Sequence, residues 1–130
     1  LICRGLAEMS NLAETLGSNC NSMSGLAGVG DLLLTCSSEM SRNFSVGTRV
    51  AKGETVAEIN ASMASVAEGV ATAKSLHYLC KEHDVEMPLC EQTYQVLYEG
   101  KSVPDALQHL QERPLGMESP REFANHKKKF

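Results

Sequence analysis

The sequence predicts an all-α architecture, a compact multi-helix domain, and three observations carry that prediction. Apolar residues recur at the 3.6-residue helical period in successive segments. Ser, Thr, Gly and Pro fall where helices start and stop. The most apolar run, Gly30–Ser38, is leucine-rich and poor in the β-branched residues that favour strands. No convincing strand and no internal repeat interrupts the pattern.

From Leu1 to Leu16 the apolar positions 2, 6, 9, 12, 13 and 16 share one helix face, and Gly17 stands where a C-terminal glycine belongs. Ser18–Ser24 is small and polar and predicts a loop. The run after Gly30 predicts a short helix, apolar nearly all round and therefore buried. Ser41 is placed to cap a helix that begins at Arg42 and stops at Gly53, and Thr55 with Glu58 forms a capping box for the next. Gly69–His83 predicts the longest helix after the first. Pro88 suits the first turn of another that ends before Gly100, and Ser102 with Pro104 opens a shorter one broken at Arg113-Pro114. Residues 1–114 thus form the helical domain, and 115–130 are expected to be an irregular tail ending in a solvated basic run, Lys127-Lys128-Lys129.

A chain of 130 residues is one domain with room for a core of its own. Its formal charge of −4 argues against a nucleic-acid surface, which needs basic residues gathered on one face. The five cysteines, Cys3, Cys20, Cys36, Cys80 and Cys90, are odd in number and show no metal-type spacing, which suggests neither a disulfide framework nor a zinc site and points to a reducing, cytoplasmic setting. The apolar runs are too short to span a membrane, and no signal peptide is recognisable. The first residue is Leu and opens straight into a helical pattern with no cap before it, so the chain is expected to begin inside a longer gene product.

The chemistry concentrates between Gly25 and Asn43. Asp31 and Thr35 are four apart and project from one helix face. A carboxylate among leucines is costly unless it meets a partner, so it either orients a ligand or catalytic amine or simply caps its helix. Arg42 and Asn43, at the start of the next helix, put a guanidinium fork, an amide and free backbone N–H groups at one point, the components of a phosphate site. An ordinary pairing of Arg42 with Glu39 is the alternative. The glycines Gly25, Gly28 and Gly30 are spaced in the reverse of the dinucleotide-binding order and follow no strand; they predict a close backbone approach or a sharp turn.

Taken together, "RGLAEM", "GLAGVGDLLLTCSSEMSRNFSVG", "VAEGVATAKSL" and "MPLCEQTYQVLYEG" resemble the C-terminal domain of bacterial NAD(P)-dependent glycerol-3-phosphate dehydrogenases, in the family's order from Leu1 to about Pro114. The resemblance implies the helical C-terminal fold of the 6-phosphogluconate dehydrogenase-like superfamily. It also implies a substrate-domain role in the reversible NAD(P)H-dependent reduction of dihydroxyacetone phosphate to sn-glycerol 3-phosphate for phospholipid synthesis. By the same resemblance Asp31 and Thr35 face the glycerol hydroxyls and support the catalytic lysine, and Ser41, Arg42 and Asn43 bind the substrate. Arg42 also meets the dinucleotide, as do Val66 and Glu68 of the "VAEG" loop. NAD or NADP would be held mainly by an N-terminal Rossmann domain. Neither that domain nor the general-base lysine is in this sequence, and Lys52, Lys74, Lys81 and Lys101 match no catalytic position. Cys3 stands where many relatives carry a small hydroxyl residue. The chain alone is therefore expected to be inactive, with a homodimer possible. The alternative is a non-catalytic helical dimerisation module. The enzymatic expectation reduces to one geometric statement: two consecutive helices place an acid and a guanidinium on the wall of one pocket.

Overall fold

The computed structural model describes residues 1–18, 23, 25–63 and 67–113. Among these it has seven α-helices and one π-helical segment, with no strand: α1 Ile2–Thr15, the π-helical Leu26–Gly30, α2 Asp31–Ser37, α3 Arg42–Ala51, α4 Val56–Ser62, α5 Glu68–His83, α6 Pro88–Tyr98 and α7 Val103–Glu112. The expected tail, including Lys127-Lys129, lies outside the described residues, as do Cys20 and Val66.

Local sequence sets most boundaries. Gly17, Gly53 and Gly100 follow α1, α3 and α6 with φ of 80°, 94° and 72°, in the left-handed region where a Cβ is costly. Ser41 Oγ accepts from the Phe44 amide, Ser102 Oγ from Asp105, and Thr55 with Glu58 closes the capping box in both directions. The longest helix is α5 with 16 residues, against 14 for α1, which reverses the expected ranking. It starts one residue earlier than expected, at Glu68, while α1 begins at Ile2 and ends at Thr15.

Packing divides into two small cores. Leu12 of α1 meets Val85 and Met87 of the α5–α6 connection, with Leu76, Leu79, Cys80 and Cys90 around them. Val46 of α3, Ile59 of α4 and Ala67 form the second, joined by Val50, Met63 and Val70. The hairpin of α5 and α6 is the central contact, α7 lies on α6, and α1 packs against both α6 and α2. Arg4 Nη1 donates to the Leu110 carbonyl at 2.9 Å, tying α1 to α7.

The expectation of a buried α2 is corrected: α2 has no buried residue, and Leu34 is 72% exposed. Leu33, Leu34, Met40 and Phe44 present one apolar stretch along α2 and the start of α3. A leucine-rich run predicts burial, but among the described residues nothing covers it.

Candidate functional site

The π-helical segment runs directly into α2. Gly30 and Asp31 both have helical dihedrals, φ −63° and −66°, and no side chain caps the junction. Asp31 therefore sits inside a continuous helical stretch, and the simple capping role for its carboxylate is removed. Single π turns often occur at functional sites, where the wider turn re-aims the side chains that follow. Gly28 permits this one: a Cβ there would collide with the Met23 backbone carbonyl. The close approach expected of the glycine spacing is real at this position. Asp31 is exposed and Thr35, one turn on, is half-buried.

Ser38–Ser41 turns the chain from α2 into α3, with the Met40 amide on Ser38 Oγ at 3.2 Å and the Ser41 amide on the Ser38 carbonyl at 3.0 Å. Ser41 Oγ then takes the Phe44 amide at 3.3 Å. The backbone amides of Arg42 and Asn43 occupy the first two helical positions, where no intrahelical acceptor exists. Arg42 is exposed, and no ion pair joins it to Glu39 among the described residues. Among the described residues this end of α3 has a guanidinium with no ion pair, a positive dipole end and N–H groups without intrahelical acceptors, a combination that attracts an anion.

Asn43 reaches across to α5. Its Oδ1 accepts from the Gly69 amide at 3.1 Å, bridging 26 positions of sequence. The residue before α5 is Ala67, which has no side chain able to cap, so Asn43 supplies the missing acceptor from another helix. A Cβ on Gly69 would lie 2.6 Å from that oxygen, which is why a glycine stands there. On the far side Tyr98 Oη donates to the Val70 carbonyl at 2.8 Å. The first turn of α5, carrying exposed Glu68, is thus held between α3 and α6. Of the expected site residues, Asn43 is bonded to the Gly69 amide, next in sequence to Glu68; Ser41 and Arg42 precede Asn43 at the same helix start, and Asp31 and Thr35 lie on the neighbouring α2. Val66 lies outside the described residues.

No enclosed pocket lies between Asp31 and Arg42 in the described concavities. One, of about 670 Å³, lies between α5, α6 and α7 and is lined by Lys81, Glu91, Lys101 and His109 among others. The second, of about 400 Å³, separates the end of α3 from α6 and α7. Asp31 and Arg42 are both exposed and line neither concavity, so the expected shared pocket wall is not formed by these two. No cluster of His, Cys, Asp or Glu able to hold a metal is present among the described residues. Nor is any described helix long and apolar enough to cross a membrane.

Sequence reasoning missed two polar groups. Glu8 is buried in α1, and its oxygens accept from the Leu89 and Cys90 amides at 2.8 and 3.2 Å, capping α6, whose preceding residue Met87 cannot do so. Burial pushes its pKa up against the pull of those two amides. The signal was available: Glu8 stands four residues before Leu12 on the buried face of α1. His77 is also buried, with Nδ1 2.7 Å from Glu91 Oε2 and its ring stacked on Tyr94 at 3.7 Å. Glu8 thus ties α1 to the start of α6, and His77 joins α5 to α6 inside the hairpin.

The described residues thus form an all-helical domain in which an exposed arginine stands at the start of α3. The sequence model described as "NAD-dependent glycerol-3-phosphate dehydrogenase C-terminus" matches residues 1–108, and the chain belongs to that family. It is 50% identical over 115 residues to a glycerol-3-phosphate dehydrogenase (NAD(P)+) of Syntrophobacter fumaroxidans, covering 88% of this chain and 34% of that protein. It is 51% identical over 110 residues to a glycosomal glycerol-3-phosphate dehydrogenase (NAD(+)) of Leishmania mexicana, covering 85% and 30%. The crystal structure of glycerol-3-phosphate dehydrogenase from Coxiella burnetii superposes with a TM-score of 0.82 at 37% identity, covering 86% of this chain and 34% of that one. The chain spans about a third of the length of the curated relatives it matches.

Proposed function

We propose that this chain is the substrate-binding part of an NAD(P)-dependent glycerol-3-phosphate dehydrogenase, interconverting dihydroxyacetone phosphate and sn-glycerol 3-phosphate for phospholipid synthesis. The helical unit over residues 1–114 would follow a Rossmann domain that holds most of the cofactor and a lysine that handles the proton. When bound, NAD(P) supplies or accepts the hydride. The residues here orient the substrate and close against the cofactor's edge.

The observation that carries this reading is the start of α3. Arg42 is an exposed guanidinium beside two unsatisfied backbone amides, and the amide of Asn43 is turned in a fixed direction. With Oδ1 held by Gly69, Asn43 has Nδ2 left, and an amide nitrogen donates, as a phosphate oxygen requires. The Ser41 hydroxyl accepts from Phe44 and keeps its own proton to donate. Arg42 would hold the phosphate by charge-assisted bonds, with Asp31 and Thr35 reaching the glycerol end and the lysine. Arg42, Val66 and Glu68 would meet the dinucleotide. The exposure of Asp31 and Arg42 suits a site completed by a second domain, and the chain alone would not turn over substrate.

Calorimetric titration of the chain with sn-glycerol 3-phosphate tests the anion site. Arg42→Ala should weaken binding by about tenfold to a hundredfold, the worth of a charged hydrogen bond. Equal affinity in the variant, or dihydroxyacetone phosphate turnover by the isolated chain, would sink this assignment. The exposed Leu33, Leu34, Met40 and Phe44 favour a second reading, a helical dimerisation module. A stable dimer in sedimentation with no phosphate affinity would support that reading instead.

A further inference from the structure

The structure assigns Asn43 a second role: it is a positioning residue that couples the anion-binding start of α3 to the first turn of α5, so that an anion at Arg42 is felt at Glu68. The inference rests on the proposed phosphate site and adds a mechanical link between it and the "VAEG" turn.

Four observations support it. Asn43 is two residues from its own cap, Ser41, so its backbone is fixed by α3. Its Oδ1 takes the Gly69 amide at 3.1 Å, a donor that the helix itself cannot satisfy. Ala67 offers α5 no substitute cap, so the first turn depends on this contact from outside. Gly69 leaves room only as long as it lacks a Cβ, since that atom would press on Asn43 Oδ1 at 2.6 Å and Cγ at 2.8 Å. One side chain therefore faces two ways: its oxygen orders α5 and its nitrogen faces an incoming anion. Drawing Nδ2 toward a phosphate moves Oδ1 with it, because the amide is planar, and the turn bearing Glu68 follows. By linkage, whatever binds at Glu68 acts back on the anion.

Gly69→Ala separates this role from simple scaffolding. Alanine has the higher helix propensity, by an amount comparable to a lost cap, which offsets the loss of the Asn43 cap, so the fold is kept. The atom it displaces is the end of a flexible side chain, so the change breaks the link cheaply. Asn43→Asp keeps the oxygen acceptor and loses the donor, and Asn43→Ala loses both.

The test is NMR on the ¹⁵N-labelled chain. Without ligand, the Gly69 amide should exchange slowly in the native chain and in Asn43→Asp, and on the order of tenfold faster in Asn43→Ala. Equal exchange in all three overturns the link, whatever binds. On titration with sn-glycerol 3-phosphate, the amides of Arg42–Phe44 and of Glu68 should shift together with one saturation curve. In Gly69→Ala the Arg42–Phe44 shifts should persist while the Glu68 shift is lost. A Glu68 response unchanged by Gly69→Ala, or absent from the native chain while Arg42 responds, overturns the coupling and leaves the phosphate site standing. No response at Arg42 overturns the phosphate site itself, and the coupling with it.

Discussion

At position 8 a carboxylate has been taken out of water to end a helix that begins eighty residues later. The cost of burying its charge is offset by two backbone amides, which would otherwise be orphaned at the start of α6. Glu8→Ala should therefore destabilise the chain by about 2 kcal/mol in urea denaturation, the cost of stranded donors and a lost cap. The pH dependence follows from the direction of its pKa. The folded value lies above the ordinary 4.5, so between the two the folded state holds the proton more tightly. The stability contributed by Glu8 is then full below 4.5 and is lost as pH rises through the folded value. Relative to Glu8→Gln, which does not titrate, the native chain should gain ground on acidification from neutral pH towards the ordinary 4.5. Glu58 runs the other way. Its carboxylate accepts from the Thr55 amide and hydroxyl, which lowers its pKa, so the α4 box is intact above the ordinary carboxylate range and fails as pH falls through the lowered value.

Helices α5 and α6 have borrowed ends, whereas α3, α4 and α7 carry their own. That contrast explains what could be read in advance. Ser41, Thr55 and Ser102 act on amides two or three positions away, and Gly17, Gly53 and Gly100 act on their own φ, so a linear pattern exposes them. Asn43 and Glu8 act across 26 and 81 positions; the helical period can place Glu8 on the buried face of α1, but no local rule names the amides that either residue caps. The α2 leucines misled for a different reason: periodicity reports that a face is apolar, not which molecule lies on it. The site residues were legible as donors at a helix start, but the π turn that precedes Asp31 was not. Two glycines test this picture. Gly28→Ala should cost about 2 kcal/mol by forcing a Cβ into the Met23 carbonyl. Gly47→Ala, in mid-α3 with nothing near its absent Cβ, should instead raise stability by about 0.5–1 kcal/mol. Thermal melts of the pair should move in opposite directions.

At the level of the whole chain, two modest cores hold seven helices, and the polar edge and the apolar face both lie towards α2 and α3. Leu34→Lys should change the unfolding free energy by less than about 0.5 kcal/mol, since that side chain already stands in water; a larger loss would mean that the face is covered within the chain. The seam between α1 and α6 offers its own clock. Cys90 sits beside Glu8, and burial with that neighbouring charge pushes its thiol up to about 12. Alkylation needs a thiolate, so at neutral pH a maleimide should modify half-buried Cys90 well after exposed Cys3 and Cys36. Time-resolved peptide mapping of the three adducts would read that order directly, with sulfur atoms the chain already carries as the reporters.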